Sequence, residues 1–246
     1  LIAVYFTKIM GWQHVWLFAS LSILIFFLPL LFLSLQDQNI RHSNFTESIK
    51  DNEESKRWKT REVVVDKKFY VYLPLSIATS FISTGLTFHQ IFIINQKGWT
   101  LDMLGGSYVF LGIFSIIGLI FGGPIIDKYN TKKIILFALL PLFLGVLTLI
   151  FFDSYFFMIV YMSLLGLNLG IGPPFIGSLW AELYGLESLG SVKALLHACS
   201  VFASALSPVI FGYIIDVGYG IIFIGMISLF IIIVSTLLPI MSKHIE

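Results

Sequence analysis

Long apolar runs alternate with short polar turns along most of this chain. A helix needs roughly 20 apolar residues to cross a hydrocarbon core of about 30 Å, and lipid offers no hydrogen-bond partner to open backbone groups. Seven spans are therefore predicted, at 12–35, 69–95, 103–126, 134–152, 154–178, 192–215 and 219–241. Residues 1–10 are predicted to be the tail of a further, truncated helix. The pattern indicates an all-α polytopic membrane protein.

Composition supports this class and excludes several others. Hydrophobic residues make up 57% of the chain and charged residues 12%, whereas soluble domains carry about 25% charged residues. A single cysteine, Cys199, excludes a disulfide or a multi-thiolate metal site within the chain. The sequence contains no nucleotide-binding glycine loop, metal-ligand cluster or nucleophile motif. We expect no cofactor, no metal, no enzymatic activity and no nucleic-acid partner.

The distribution of lysine and arginine predicts the orientation. If the spans alternate across the bilayer, nearly all of these residues lie on one side, and Lys8 and Lys97 are the exceptions. Cytoplasmic loops carry the excess of positive charge, so segment 36–68 and the C-terminus are predicted to be cytoplasmic. Segment 36–68 has mixed charges and is predicted to be a solvated linker, with a regulatory role as the alternative. The predicted regions are a helical segment 1–35, this linker and a six-helix bundle 69–246.

A short pattern recurs within the predicted bundle. Gly123 precedes Asp127 by four residues at the end of the third span, and Gly212 precedes Asp216 in the same way at the end of the sixth, 89 residues later. Each pair ends the middle helix of a three-helix unit. Because three is odd, the two units would have opposite orientations, as in the inverted repeats of secondary transporters. Chance recurrence of so short a pattern is the alternative.

The loop after the third span is a candidate gating element. Asp127 can accept hydrogen bonds from the free N–H groups at the start of the next helix, where the helix dipole favours an anion. Asn130 tolerates the left-handed conformation that would help the chain reverse. An ordinary topogenic loop is the alternative interpretation. The residues of the candidate latch are Gly123, Asp127, Lys128, Asn130, Lys132 and Lys133.

Polar side chains within the spans are candidates for a solute cavity, because ionisable groups at membrane depth are usually functional. Histidine is the principal candidate since it can contact an anion or carry a proton near neutral pH. A hydrogen bond to a neighbouring helix is the alternative for each histidine. Gly170–Pro174 is predicted to disturb its helix as a hinge or a cavity wall. The candidate cavity residues are Thr84, His89, Gln90, Tyr108, Asn168, His197 and Ser200.

Glycines spaced four residues apart indicate close helix packing. Gly118 and Gly122 lie on one helix face, as do Gly166 and Gly170. Small residues at this spacing let transmembrane helices approach closely. Sliding of one bundle on another is the functional alternative.

A resemblance to the major facilitator superfamily is carried by the motif Gly123-x-x-x-Asp127-Lys128-x-Asn130-x-Lys132-Lys133. In that family the loop joins the second and third helices of a six-helix half, with a glycine where Asn130 stands here. Residues 11–13 resemble the start of the family's sixth helix, and residues 180–216 resemble the tenth and eleventh helices of bacterial members. The resemblance covers the chain as helices six to twelve, without most of the first bundle.

This resemblance implies a secondary transporter of a small solute. Two six-helix bundles would alternate access to a central cavity in the plasma (bacterial inner) membrane, with the aspartate loop gating the cytoplasmic side. The expected partners are a small-molecule substrate, a coupling ion such as H⁺, the lipid bilayer and the missing N-terminal bundle. Phe88-His89-Gln90 is similar to monocarboxylate and oxalate–formate members, which suggests an organic anion. Span 103–126 lacks the charged pair of monocarboxylate members.

Two other classes remain as alternatives. A seven-helix receptor would have the same number of spans and the same orientation, but it would usually carry an extracellular cysteine pair. A membrane scaffold that transports nothing would have no water-accessible polar groups at mid-depth.

Overall fold

The computed structural model describes residues 6–7, 9–36, 58–129 and 137–242. The chain divides into two units, Leu1–Lys56 and Arg57–Glu246. In the first unit, α1 (Trp12–Ser22), a π-helical turn (Ile23–Phe27) and α2 (Leu28–Gln36) form one apolar rod. The π turn precedes Pro29, whose ring crowds the preceding turn and whose nitrogen cannot donate, so a wider turn there relieves the conflict.

The second unit is a helical bundle with a short helix in front of it. The short helix is α3 (Thr60–Val65), and Asp66 then caps the bundle's first helix by accepting a hydrogen bond from Lys68 N at 3.0 Å. The remaining helices are α4 (Lys67–Phe88), α5 (Gln90–Lys97), α6 (Leu101–Lys128), α7 (Leu140–Phe151), α8 (Tyr155–Tyr184), α9 (Leu189–Asp216) and α10 (Ile221–Ser242). The predicted all-α architecture is confirmed.

Two of the seven predicted spans differ in outline from the structure. The span 69–95 is two helices, α4 and α5, because the backbone leaves the helical conformation at His89. The span 134–152 is described only as the 12-residue α7, and residues 137–139 before it form a turn. Pro141 lies in the first turn of α7, where its missing N–H has no intrahelical acceptor in any case. Residues 130–136 lie outside the described part of the chain.

The outer surface of the helices is apolar, as a lipid environment requires. Within the described residues, six helices are long and apolar enough to cross a bilayer, the first being Trp12–Leu33. Large side chains lie fully on the outside, including Phe121 at 58% exposure, Phe202 at 67% and Phe230 at 67%. Water would hydrate such a surface at a high free-energy cost, whereas lipid chains do not.

The helix pairs of the second unit follow the two predicted triplets. The first triplet is α4–α5, α6 and α7, and the second is α8, α9 and α10. In one matched set of contacts, α6 packs on α8 and α4 packs on α9. In a second matched set, α7 packs on α8 and α4 packs on α10. The last contact joins α7 to α10. If α4, α6 and α7 are exchanged with α8, α9 and α10 in that order, each of these contacts becomes another contact of the same set, and the contact of α7 with α10 becomes itself. The packing therefore has the pairing that a two-fold relation between the triplets requires.

Individual interhelical contacts also recur when 89 is added to the residue number in the first triplet and subtracted from the one in the second. A Cβ on Gly118 would lie 3.1 Å from Gly170 Cα, and in the shifted pair Ser207 Oγ donates to the carbonyl of Phe81. A Cβ on Gly122 would lie 2.9 Å from Pro174 Cγ.

The pair shifted by 89 residues from Gly122 and Pro174 is Phe211 and Gly85, and a Cβ on Gly85 would lie 2.6 Å from Phe211 Cδ2. Two interhelical contacts of α6 with α8 thus have counterparts between α9 and α4. The offset taken from the Gly-x-x-x-Asp pattern is therefore the register of the repeat.

Candidate functional site

A cavity of about 540 Å³ lies between α4, α8 and α9, on the side of the bundle where α8 ends and α9 begins. Its volume lies within the range of small-molecule sites. Three of the seven residues predicted from the sequence line it, namely Asn168, His197 and Ser200. The other lining residues are Ser76, Thr79, Ser80, Leu169, Gly172, Pro173, Ile176, Gly177, Trp180, Lys193 and Leu196.

Small residues of α8 leave the space for this cavity. Gly172, Pro173 and Gly177 line it, and a Cβ on Gly172 would meet no atom of the described residues within 4 Å. The expected disturbance at Gly170–Pro174 does not interrupt the helix, since α8 continues through Pro173 and Pro174. The prolines remove two backbone donors but, at this position, the helix is held by its packing against α6. The segment is a cavity wall within a continuous helix.

Trp180 is among the lining residues and is fully buried. Its Nε1 donates to Ser76 Oγ at 2.9 Å, and the Ser76 hydroxyl donates in turn to the carbonyl of Tyr72 at 3.2 Å. Its ring also stacks on Tyr184, with 5.8 Å between the centroids. These contacts hold the indole in one orientation, and they tie α8 to α4.

Asn168 cross-links three helices beside the cavity. Its Oδ1 accepts from Thr79 Oγ1 of α4 at 3.1 Å, and its Nδ2 donates to the carbonyl of Ala138 at 3.0 Å, in the turn before α7. The residue is 1% exposed, and its amide has a partner at each end. Asn168 therefore positions the wall of the cavity more than it offers a free group to a solute.

The cationic side of the cavity is formed by α9. Lys193 and His197 are four residues apart, a spacing that places them on one helix face, and Ser200 follows on nearly the same face. The Lys193 side chain reaches across to α8, where a Cβ on Gly177 would lie 3.6 Å from Nζ. None of the lining residues in the described part of the chain is an aspartate or a glutamate.

The other predicted cavity residues lie elsewhere. Gln90 and Tyr108 line a separate void of about 20 Å³, the size of one water molecule, and Tyr108 donates its hydroxyl to Gln90 Oε1 at 2.5 Å. His89 Nε2 donates to the carbonyl of Pro208 on α9 at 2.9 Å. His89 is therefore hydrogen-bonded to a neighbouring helix, the alternative given above for each histidine. Thr84 lines neither cavity. The structure therefore groups His197, Ser200 and Asn168, and it separates them from His89, Gln90, Tyr108 and Thr84.

The described half of the candidate latch lies at the end of α6. Asp127 and Lys128 are exposed, and the Lys128 ammonium lies 5.5 Å from the centroid of the Tyr129 ring. Gly123 has open space where a Cβ would point, whereas its neighbour Gly122 is the glycine that packs on α8. Asn130, Lys132 and Lys133 lie outside the described residues, as do the backbone donors expected to bind Asp127.

Polar contacts join the loops at each end of the bundle. At the end beside the cavity, Trp58 N donates to Ser188 Oγ at 2.7 Å, and Tyr184 donates its hydroxyl to Asp66 at 3.1 Å. The segment before α4 is thereby fixed to the turn between α8 and α9. This explains why the bundle's unit begins at Arg57, before the predicted boundary at 69.

At the opposite end, Lys97 forms an ion pair with Asp153 at 2.6 Å, and its ammonium also donates to the carbonyl of Phe152 at 3.2 Å. Gln96 Oε1 accepts from the backbone N–H of Ile221 at 2.7 Å. The end of α5 is thereby bonded both to the α7–α8 turn and to the start of α10.

The family model described as Major Facilitator Superfamily matches residues 1–152 and, in an overlapping second match, residues 90–244. The chain belongs to the major facilitator superfamily. It is accordingly a multi-pass membrane transporter, in contact with the bilayer and with a small-molecule substrate. Comparison with curated proteins found no significant match for the chain.

Lys193 and Trp180 are among the lining residues of this superfamily member's cavity that the sequence did not mark as candidates. Lys193 was predicted only as a topogenic charge, and Trp180 only as part of a family motif. The signal available for Lys193 was its spacing, since it precedes His197 by one helical turn on a helix with few charges. No sequence signal pointed Trp180 toward Ser76, because that contact joins residues more than a hundred positions apart.

Proposed function

We propose that this chain forms part of a secondary active transporter that carries a small solute, of the organic anion class, by alternating access. The cavity between α4, α8 and α9 is the observation that carries the proposal. It combines apolar walls with a few polar groups, the composition typical of small-molecule sites. The receptor and scaffold alternatives have no comparable observation in their favour.

The proposed energy source is an ion gradient, with H⁺ as the coupling ion. We place the C-terminus in the cytoplasm because positive residues concentrate in segment 36–68. The plasma membrane of bacterial inner-membrane type is proposed from the resemblance to bacterial members. On this orientation the 540 Å³ cavity opens toward the cytoplasm and the small void around Gln90 lies toward the outside. The aspartate loop at the end of α6 is proposed to gate the cytoplasmic side.

Blocking the cavity tests the proposal. Gly172→Trp places an indole where a Cβ meets open space, so it should fill the cavity without a backbone clash. Gly112→Trp is the matched control, since a Cβ there also meets open space and Gly112 does not line the cavity. The measurement is proton-gradient-driven uptake of labelled monocarboxylates, dicarboxylates, amino acids and sugars by proteoliposomes that contain the whole natural protein.

We expect uptake of at least one solute class by the wild type, near-complete loss in Gly172→Trp and retention in Gly112→Trp. Gradient-independent signals throughout the panel, or full uptake by Gly172→Trp, would contradict the proposal.

A further inference from the structure

We propose that Lys193 and His197 form the anion-binding side of this cavity and select an organic carboxylate with an apolar body. The inference rests on the proposed transport function and assigns that function's specificity to two residues. Lys193 has otherwise only the role of a positive charge near the membrane surface.

Both side chains border one open cavity, and each is exposed. They lie one helical turn apart on α9, so their Cβ atoms are separated by roughly 5–6 Å. The Lys193 stem extends toward Gly177 of α8, where a Cβ would be in ordinary van der Waals contact with the ammonium. A carboxylate in the cavity can therefore accept from the ammonium and from an imidazole N–H together. Ser200 adds a hydroxyl on the same face.

The electrostatic balance of the cavity is one-sided. No carboxylate of the described residues lines it, and Glu182 and Glu187, the acidic residues nearest in sequence to its rim, are exposed and outside the lining. A lysine beside a space that holds no counter-charge attracts an anion through its ammonium charge. A cationic solute would face repulsion at the same place.

The apolar lining of the cavity determines which kind of body the bound carboxylate carries. Leu169, Ile176 and the buried Trp180 of α8 form the apolar lining there, Leu196 adds to it from α9, and the indole of Trp180 is fixed by its bond to Ser76. Inorganic anions would leave this surface unused, whereas an aliphatic or aromatic carboxylate would cover it. Burial of the apolar body would add to affinity in proportion to its area. The volume of about 540 Å³ accommodates a molecule of that size.

Equilibrium binding of labelled benzoate, benzamide and benzylamine tests the inference. The natural protein is measured in phosphatidylcholine nanodiscs, as wild type, Lys193→Gln, His197→Gln and the control Arg61→Gln, whose side chain lies outside the cavity. We expect benzoate to bind at least tenfold more tightly than benzamide and benzylamine. Each cavity variant should weaken benzoate binding about tenfold or more, the usual effect of losing a charged hydrogen bond. Arg61→Gln should stay within twofold of wild type.

Lys193→Arg keeps the charge and should retain binding, which covers the case in which Lys193→Gln fails to fold. Equal binding of benzamide and benzoate, no benzoate binding, or benzoate binding unaffected by both glutamine variants would overturn the inference.

A second set of measurements, with added phosphatidylglycerol, distinguishes a lipid headgroup from a solute as the source of the bound anionic group. If added phosphatidylglycerol displaces nothing and the variants alter benzoate binding, the pair binds a solute. If phosphatidylglycerol binding depends on Lys193 while benzoate binding does not, the pair is a headgroup site and the inference fails. Gradient-driven uptake of a neutral solute that Gly172→Trp blocks and Lys193→Gln spares would leave the transport function intact and reject only the anion assignment.

Discussion

At the scale of single residues, glycine spacing was the most reliable signal in the sequence. Gly118, Gly122, Gly166 and Gly170 were predicted to bring two helices together, and the structure confirms this for α6 and α8: a Cβ on any of them would press against the partner helix. Such contacts follow from spacing along one helix. Hydrogen bonds between distant helices do not, which is why His89 was grouped with a cavity that it does not line.

The ion pair of Lys97 is a second contact between distant parts of the chain that the sequence does not predict. Lys97 is an exception to the predicted charge bias, and the structure explains how it is accommodated. Its side chain is 5% exposed, and its ammonium binds Asp153 and the carbonyls of Ile150, in the last turn of α7, and Phe152. A buried ammonium requires such partners. The sequence shows a lysine and an aspartate in two turns but contains no sign that these turns meet.

Replacement of Gly170 tests the close packing. Gly170→Ala should destabilise the bundle, because the added Cβ would overlap the Ser115 carbonyl on α6 and backbone cannot move aside cheaply. Overpacking of this kind costs about 1–3 kcal/mol. Thermal unfolding in detergent is the measurement, and Gly112→Ala is the control because its Cβ meets open space. Equal melting temperatures for the two variants would show that the helices are not in close contact.

At the scale of elements, the apolar runs predict which segments form helices, but they do not predict where a helix is interrupted. The runs predict α6, α8, α9 and α10 to within a few residues at most ends. The break at His89 arises where the side chain bonds to α9 and not from a proline or glycine in the sequence. Conversely, Pro173 and Pro174 lie in a continuous helix. Tertiary contacts outweigh local propensity in both cases.

Removing the bond from His89 to Pro208 should loosen α5. His89→Ala deletes the donor to the Pro208 carbonyl, at a cost of about 1 kcal/mol for a neutral hydrogen bond. Hydrogen–deuterium exchange is expected to rise in the peptide covering 90–97 and to stay unchanged in α10. His14→Ala, which removes a local bond to the Met10 carbonyl just before α1, is the control. Unchanged exchange over 90–97 would mean that this bond does not hold α5 in place.

At the scale of the whole molecule, the 89-residue repeat was the most informative pattern in the sequence. Two Gly-x-x-x-Asp motifs predicted both the triplets and their register, and contacts shifted by that offset recur in the structure. The cavity itself was less accessible to prediction. It is formed where α4, α8 and α9 meet, and only the packed bundle shows that Lys193 and Trp180 share it with His197.

Alternating access through this cavity is tested most directly by the accessibility of one thiol. In a Cys199→Ser background, Ser200→Cys places the thiol in the cavity, and Phe202→Cys places it on the opposite, exposed face of α9. A membrane-impermeant charged thiosulfonate is applied to either side of oriented vesicles. The Ser200→Cys thiol should react from the cytoplasmic side at rest and from both sides during turnover, while Phe202→Cys stays unreactive in lipid. Failure of Ser200→Cys to react from either side, or equal reaction of the two thiols, would contradict a solute pathway between α4, α8 and α9.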